Sequence, residues 1–400
     1  ANYSMNIKDF LSSTKKFHTS PLYPTFICTS VDHVATTHDP GLAKDLFGKC
    51  QGGSKRVNQE ELELLLRALR HVPIICRPAG SVPSMARNLA KILADSGGVR
   101  LVTACGDDAN GVLFLESMNS TGVDTSQVLH RQAPTGQCVI VSCDGQRTMR
   151  TCIHPECRLQ PHDLALEQFQ NRAETAWVFT SAYTLYTDGL LQKIVAYASQ
   201  SGRRIALDSA SQELVSSQRS ALCALLEQGC IDVCICNEDE AAQLGQSQPA
   251  STDLRAQHEG SEWTRSQPHA LPQPHMRALS YLAQQCKIAA VVTLGSQGCL
   301  VSPGTAASQE QLQGFGSKLT VPHCFFPSMD VKAVDCTGAG DAFSSGFIAG
   351  LCKGRTLKQC AHLGCAMGAA AVQVVGSELD GAAWQYFQAN AAPAGLSIAI

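Results

Sequence analysis

Residues Asp335 to Leu351 read DCTGAGDAFSSGFIAGL. Phe343, Phe347 and Leu351 recur at every fourth position, so the stretch turns one apolar helical face toward a core. Gly354, just beyond, suits a helix C-terminus. The helix therefore starts between Gly338 and Asp341. Its first backbone N–H groups lack intrahelical partners there, and the positive end of the dipole adds to them. A glycine-rich entry lets an anion approach those donors. Asp341 could simply cap the helix. One Ser or Asp would serve for that, and capping leaves Gly338-Ala339-Gly340 unaccounted for. An anion hole beside a carboxylate is the equipment of phosphoryl transfer.

The chain has 400 residues, 44% hydrophobic and 16% charged, with a formal net charge of −3. That suits a globular protein with one large α/β domain or two ordinary ones. No basic tract or aromatic-basic interleaving points to nucleic acid, and no apolar run approaches a membrane span. Nineteen cysteines are many. Several lie in apolar segments such as DVCICNEDE and HLGCAMGAAAV, where cysteine acts as a small core residue. There is no Cys-x-x-Cys pair, so a zinc ribbon is not expected. His154-Pro-Glu-Cys157 resembles half of a zinc deaminase signature, but no Pro-Cys-x-x-Cys partner follows. A reducing compartment, cytoplasm or plastid, is expected. Residues 1–25, rich in Ser, Thr and Lys, read as a flexible terminus or a transit-peptide remnant.

TFICTSVDHVA reads as a buried strand ending at Asp32, NQEELELLLRALR as a helix, and PAGSVPSMARNLAKILADSG as a small-residue turn entering a helix. GQCVIVSCDGQRTMRTCI has two β-rich arms around Asp144-Gly145, a hairpin pattern. Apolar strands and helices then alternate through TAWVFTSAY, RRIALDSAS, IDVCICNEDEAAQLG and IAAVVTLGSQGCLVS. The alternation predicts a mostly parallel sheet with helices on both faces. Ligands collect at the carboxyl ends of such strands, where NEDE, TLGSQG and DCTGAGD fall. Residues 246–275, rich in Gln, Ser, Pro and His, read as a disordered surface insertion.

There is no Gly-x-x-x-x-Gly-Lys-Ser/Thr, His-Arg-Asp or Asp-Phe-Gly, so P-loop enzymes and protein kinases are excluded. DCTGAGDAFSSGFIAGL instead closely resembles the signature of the PfkB, or ribokinase-like, carbohydrate and nucleoside kinases. The resemblance runs from about Phe26 to Trp384. AGSVPSMARNLA is similar to the family's N-terminal Gly-Gly segment, CGDDANG to its next loop, and PTGQCVIVSCDGQRTM to its lid strands. NEDEA is similar to its Asn-x-x-Glu and VVTLGSQGC to its nucleotide loop. GQRTMR and VVGSELDGAAW further resemble a plant and algal adenosine-kinase-like branch.

The resemblance implies a ribokinase-like α/β fold with a small β lid. It implies a kinase domain over 26–390, lid strands within about 27–38 and 135–153, and a C-terminal tail at 391–400. It implies that Asp341 is the base that takes the acceptor's proton and that Gly338, Ala339 and Gly340 form the anion hole for the transferring phosphate. Asn237 and Glu240 would organise Mg²⁺ and its waters, oxygen-ligand chemistry that suits a hard cation. Thr293, Gly295 and Gly298 would underlie ATP, with Arg147 of the lid near its phosphates. Asp32, Gly80, Ser81 and Ser84 would hold a sugar or nucleoside. Asp335 and Thr337 would border a monovalent cation, K⁺, as in some relatives. A helix start capped by Asn237, a plain strand-end turn at Thr293–Gly298 and a solvated hairpin arginine at Arg147 stay open as alternatives.

Two positions depart from the family pattern. Ala79 stands for the first glycine of the pair, and Ser84 for the asparagine that normally grips the sugar. Both fall on the acceptor side. An ATP-dependent kinase for a small sugar or nucleoside is therefore one reading. A catalytically weakened PfkB-like scaffold or regulatory subunit of a larger complex is the other, and a homodimer or a complex subunit is the assembly expected of the chain.

Overall fold

A computed structural model describes residues 22–26, 30–37, 39–48, 53–95, 98–143, 146–165, 177–246, 273–313 and 323–395. In chain order the strands are β1 (Leu22–Phe26), β2 (Ser30–Thr37), β3 (Gly53–Arg56), β4 (Ile74–Ala79), β5 (Gly98–Gly106), β6 (Asp124–Arg131), β7 (Gln137–Cys143), β8 (Gln146–Cys152), β9 (Trp177–Ser181), β10 (Arg204–Asp208), β11 (Val233–Asn237), β12 (Ala289–Thr293), β13 (Gly298–Pro303) and β14 (Cys324–Pro327). The helices are α1 (Pro40–Phe47), α2 (Gln59–Ala68), α3 (Ser81–Ile92), α4 (Ala109–Ser120), α5 (Leu190–Gln200), α6 (Gln212–Leu226), α7 (Glu238–Gly245), α8 (Gln273–Gln285), α9 (Ala339–Cys352), α10 (Leu357–Ala371) and α11 (Gly381–Ala391).

Nine strands form a central sheet in the order β14-β13-β12-β11-β10-β9-β1-β5-β6. The seven from β12 to β6 pair in parallel, while β13 and β14 add an antiparallel edge. The central strands are apolar on both faces because both are covered. Trp177, Phe179, Ile235 and Val291 pack with α3, α4, α9, α10 and α11. Their neighbours Val178, Ile205, Leu207, Cys234 and Val292 pack with α5 to α8 on the other side. Each fully buried side chain of this kind contributes about 1.5–3 kcal/mol.

β1 is where the chain's winding reverses: β5 and β6 lie on one side of it, β9 to β12 on the other. Such a switch point opens a crevice at the carboxyl ends of the strands. Ser181, Asp208, Asn237 and Thr293 end their strands on this edge, paired Ser181 with Asp208 and Asn237 with Thr293.

A second sheet of five strands, β3-β8-β7-β2-β4, forms a lid. One of its faces carries α1 and α2 through Phe47, Leu62 and Leu69, packed on Ala35, Val139 and Val141. The hairpin arms are β7 and β8, with Cys143 opposite Gln146. TFICTSVDHVA is not one strand ending at Asp32. It divides into β1 of the central sheet and β2 of the lid, and Asp32 is the third residue of β2. Both pieces carry β-forming residues, and the alternation pattern does not say which sheet a strand joins.

Of the terminal segment read as 1–25, residues 22–25 belong to β1, and of the insertion read as 246–275, Gln273–His275 open α8; residues 1–21 and 247–272 lie outside the described residues. The tail expected from 391 starts as packed structure, for Ala392–Ala394 form a 3₁₀ turn with Ala394 buried. Among the described residues no helix is long and apolar enough to cross a membrane.

Candidate active site

α9 begins after Gly338, which adopts φ 73° and caps the helix without a side-chain bond. A Cβ on Gly338 would sit 2.7 Å from Ser377 Cβ, so backbone conformation and packing both require glycine. A Cβ on Gly340 would meet nothing within 4 Å. The first helical bond runs from Ala342 N to Gly338 O, 2.8 Å. The N–H groups of Gly340 and Asp341 precede it, at the positive end of the helix.

The Asp341 carboxylate bonds a side chain of another helix rather than a backbone amide. Its Oδ1 accepts from Ser81 Oγ at 2.5 Å, which joins the start of α9 to the start of α3. Burial, then the nearby charge of Asp208, raise the Asp341 pKa to about 7 against the opposing effects of Ser81 and Arg87. A carboxylic acid tuned near neutrality can exchange a proton with a substrate hydroxyl.

Three further carboxylates share this environment. Asp208 ends β10; its Oδ1 accepts from Ala210 N at 2.9 Å and its Oδ2 from Ser344 Oγ of α9 at 3.4 Å. Glu240 and Asn237 form a reciprocal capping box at the start of α7, with Glu240 N to Asn237 Oδ1 and Asn237 N to Glu240 Oε2 both 2.9 Å. The capping role expected as the plain alternative is thus fully present. Glu240 is also 4% exposed and accepts from Ser209 Oγ at 2.6 Å. Burial, then the Asp208 charge, lift it to about 7, while burial lifts Asp208 itself to about 6. Burial likewise raises Asp32 to about 7, opposed by Arg87 and assisted by Asp341.

Arg87 is the counter-charge. It is 2% exposed on α3 and donates from Nη1 to Pro78 O at 2.8 Å and Ser117 Oγ at 3.1 Å. Its Nη2 donates to Ser84 Oγ at 3.2 Å, and Ser84 in turn donates to Ser377 Oγ at 3.2 Å. Ser84 is therefore tied into the protein interior. Gly80 next to it holds φ 107°, a conformation that favours glycine, while the preceding Ala79 sits buried at the end of β4.

Two lid arginines reach the loops around α9. Arg147 of β8 donates from Nη1 to Thr337 Oγ1 and lies 3.5 Å from Asp335 Oδ1. Asp335 Oδ1 accepts from Thr337 N at 2.9 Å, and its Oδ2 from Gly376 N at 2.8 Å. Burial opposes ionisation of Asp335, but the bonds from Thr337 and Gly376 and the Arg147 charge carry its pKa below the usual range. Arg77 of β4, opposite Asp32, donates to Val375 O at 2.5 Å. Arg56 of β3 stacks on the Tyr186 ring, 4.1 Å from its centroid.

Thr293 ends β12, and Gly295–Gln297 make a 3₁₀ turn closed by Leu294 N to Gly298 O, 2.8 Å. Gly298 has φ 123°, and a Cβ there would lie 2.0 Å from Phe326 O. The β13–β14 pairing alone demands that glycine. Gly295, at φ 54°, has open space around it.

The structure thus brings Asp32, Ser81, Asp341, Asn237 and Glu240 to one crevice, with Arg147, Asp335 and Thr337 at its rim and Thr293–Gly298 at a neighbouring strand end. Asp208, Ser209, Arg87 and Ser377 belong there too, as does Tyr183, whose phenol lies within the field of Glu240, Asp341 and Asp208; none was singled out from the sequence. An acid as the last residue of the apolar strand RRIALD was a readable signal for Asp208.

The model of the pfkB family carbohydrate kinases matches residues 77–382. An ATP-dependent 6-phosphofructokinase of Thermoanaerobacterium thermosaccharolyticum is 39% identical over 90 residues, 22% of this chain and 23% of that one. A cytidine kinase of Thermococcus kodakarensis is 36% identical over 77 residues, 18% of this chain and 22% of the other. These alignments span about a quarter of the relatives' own length. Among solved structures, adenosine kinase from Sinorhizobium meliloti superposes with a TM-score of 0.72 at 22% identity, covering 93% of this chain and 100% of that one. A putative ribokinase II from E. coli gives a TM-score of 0.64 at 17% identity, covering 92% and 99%. The fold is ribokinase-like.

Proposed function

The chain belongs to the pfkB family of carbohydrate kinases, and on that premise we propose that it transfers the γ-phosphate of ATP to a hydroxyl of a sugar or nucleoside. The observation that carries this reading is the Asp341 carboxylate: it caps no amide, bonds a serine hydroxyl and is poised near pH 7. A substrate hydroxyl placed where the Ser81 hydroxyl now sits would give its proton to Asp341 as its oxygen attacks phosphorus. The products are ADP and the phosphate ester.

The Gly338–Ala339–Gly340 entry would hold the transferring phosphate, chiefly through the Gly340 N–H, since Ala339 N–H donates to Cys336 O at 3.3 Å. Open space at Gly340 supports this, since a phosphate needs room there. Asp32, Gly80 and Ser81 would hold the acceptor. The loop at Thr293, Gly295 and Gly298 would underlie the nucleotide. Arg147 would close the lid beside its phosphates and exclude water.

The residues present suit Mg²⁺ in an outer role. Among the described residues no group of three or more ligating side chains could hold a metal alone. Asp208, however, resists ionisation through burial, and Glu240 through burial and then the Asp208 charge, a strain that a nearby cation relieves. Glu240 and Asn237 would engage the ion through water, and Mg²⁺ when bound with the nucleotide supplies charge neutralisation of the phosphates. A K⁺ beside Asp335 and Thr337 is the finer family expectation; here Arg147 already pairs with both residues.

Ser84 favours a second reading, because its hydroxyl is spent on Arg87 and Ser377 and is unavailable to a sugar. A scaffold or complex subunit would retain the fold while losing the acceptor grip. All described cysteines are free thiols, which suits the proposed reducing compartment, cytoplasm or plastid. The test is ADP release from Mg-ATP with a panel of riboses, hexoses and nucleosides. Turnover with one acceptor class establishes the kinase. ATP binding with no turnover on any acceptor overturns it.

A further inference from the structure

On the lid, away from the carboxylate crevice, three polar side chains line up across adjacent strands. Cys76 of β4 is exposed, and its Sγ lies 3.2 Å from His33 Nδ1 on β2, its direct cross-strand partner. His33 Nε2 lies 2.9 Å from Gln137 Oε1 on β7. A glutamine carbonyl oxygen only accepts, so Nε2 carries the ring proton and Nδ1 presents its lone pair to the thiol. Burial lowers the His33 pKa, with the Gln137 bond acting against it, which favours the neutral ring. A nucleophile, a base in hydrogen-bond reach and a third group that orients the base make up an activated-thiol arrangement. None of these side chains belongs to the phosphotransfer site above, and β2 alternation puts His33 on the face opposite Asp32.

We propose that Cys76, with His33 as base and Gln137 as orienting group, is a thiol-modification site that reacts with small disulfides. Cys76 S–H gives its proton to His33 Nδ1, and the thiolate attacks one sulfur of R–S–S–R. A Cys76–S–S–R bond forms and the S–S bond of the reagent breaks, so the departing sulfur leaves with its R group. The leaving thiolate takes the proton from His33 and departs as R–S–H. The thiol is oxidised to the disulfide level and one half of the reagent is reduced, so electrons balance. The buried cysteines of the core, such as Cys234, Cys236 and Cys299, lack the exposure this requires.

The experiment treats the full chain with bis(hydroxyethyl) disulfide, an uncharged reagent, and follows modification of each cysteine-containing peptide by mass spectrometry over time. The reference is a synthetic peptide of Pro73–Ala79, PIICRPA, which keeps Arg77 beside the cysteine and lacks the histidine. Cys76 in the folded chain is expected to react at least about tenfold faster than the peptide, the gain from bringing a thiol into base-assisted reach near neutral pH. His33→Gln should return Cys76 to the peptide rate, and Gln137→Ala should lower it several-fold, with the circular dichroism spectrum checked for each. A wild-type rate at or below that of the peptide overturns the proposal, whatever the variants do. A folded His33→Gln chain that keeps the wild-type rate overturns it as well.

Discussion

Ser81 and Asp341, 260 positions apart in sequence, share a 2.5 Å hydrogen bond between the first residue of α3 and the first turn of α9. The bond ties the only acid of the α9 N-terminal turn to the start of α3. Asp341→Asn keeps the side-chain size and removes the proton acceptor. Turnover with the best acceptor should fall about 10²–10⁴-fold, the usual contribution of a positioned base. A variant within a few-fold of an active wild type would sink the assignment.

The same residue makes a stability prediction. Asp341, Asp32 and Glu240 have pKa values raised to about 7, and Asp208 to about 6. A raised carboxyl binds its proton more tightly in the folded chain than in the unfolded one. Its stabilisation is complete below the unfolded value near 4 and is lost as pH rises through the folded value. The ligand-free protein should therefore melt at a lower temperature at pH 8 than at pH 5. Asp341→Asn should flatten that decline and melt higher than wild type at pH 8. One pKa unit recovered corresponds to about 1.4 kcal/mol. A wild-type melting temperature that climbs from pH 5 to pH 8 contradicts the crevice electrostatics described here. Activity should run the other way and rise with pH toward an apparent value near 7, since the base works ionised.

Arg147 clasps the lid onto the loop that precedes α9. Arg147→Ala should leave folding almost unchanged, because an ion pair still in reach of solvent, here 26% and 15% exposed, contributes about 0–1 kcal/mol. Its effect should appear in water exclusion. Acceptor-independent ATP hydrolysis should rise relative to phosphoryl transfer, and Arg147→Lys should not restore the ratio, since it lacks the planar fork. An unchanged ratio in the alanine variant would separate the arginine from lid closure.

Ala210 is the one non-glycine residue with positive φ among the described residues, at 79°, two residues past the carboxylate that ends β10. Its N–H is held by Asp208 Oδ1. An alanine there costs roughly 1–2 kcal/mol relative to relaxed backbone, and glycine escapes that penalty. Ala210→Gly should raise or preserve the midpoint of urea unfolding despite the greater freedom glycine brings to the unfolded chain. A clear fall would mean that the alanine methyl packs favourably enough to offset the strain.

The fold and the centre of the site were legible because they are written locally. DCTGAGD places the glycines, the acid and the helix start within seven consecutive residues, and the strand-helix alternation names the layers. What stayed hidden depends on contacts between distant segments. Arg87 looks like a surface charge in SMARNLA, yet α3 lies between the lid strand and α9, so the guanidinium is enclosed. The lid strand Gly53–Arg56 has neither alternation nor β-branched residues, and it exists because β8 offers it a partner. Ser84 could be recognised as a departure from pattern, but only its neighbours Arg87 and Ser377 tell what the hydroxyl now does.

The anion hole itself can be tested by two glycines that the structure distinguishes. Gly338 is fixed by its own backbone and by Ser377, so alanine there is strained and collides at 2.7 Å. Gly338→Ala should lower stability by about 1–3 kcal/mol and reduce activity together with it. Gly340 lies in the first turn of α9 with open space at its Cβ position. Gly340→Ala should cost no stability and could add about 0.5–1 kcal/mol through helix propensity. If a phosphate comes to rest on the N–H groups here, the added methyl occupies the path it must take, and kcat should fall at least tenfold in a protein as stable as wild type. The paired measurement is thermal melting and ADP release on both variants. Full activity in a stable Gly340→Ala would show that the open space serves no phosphate, and the glycine-rich entry would then be a turn and nothing more.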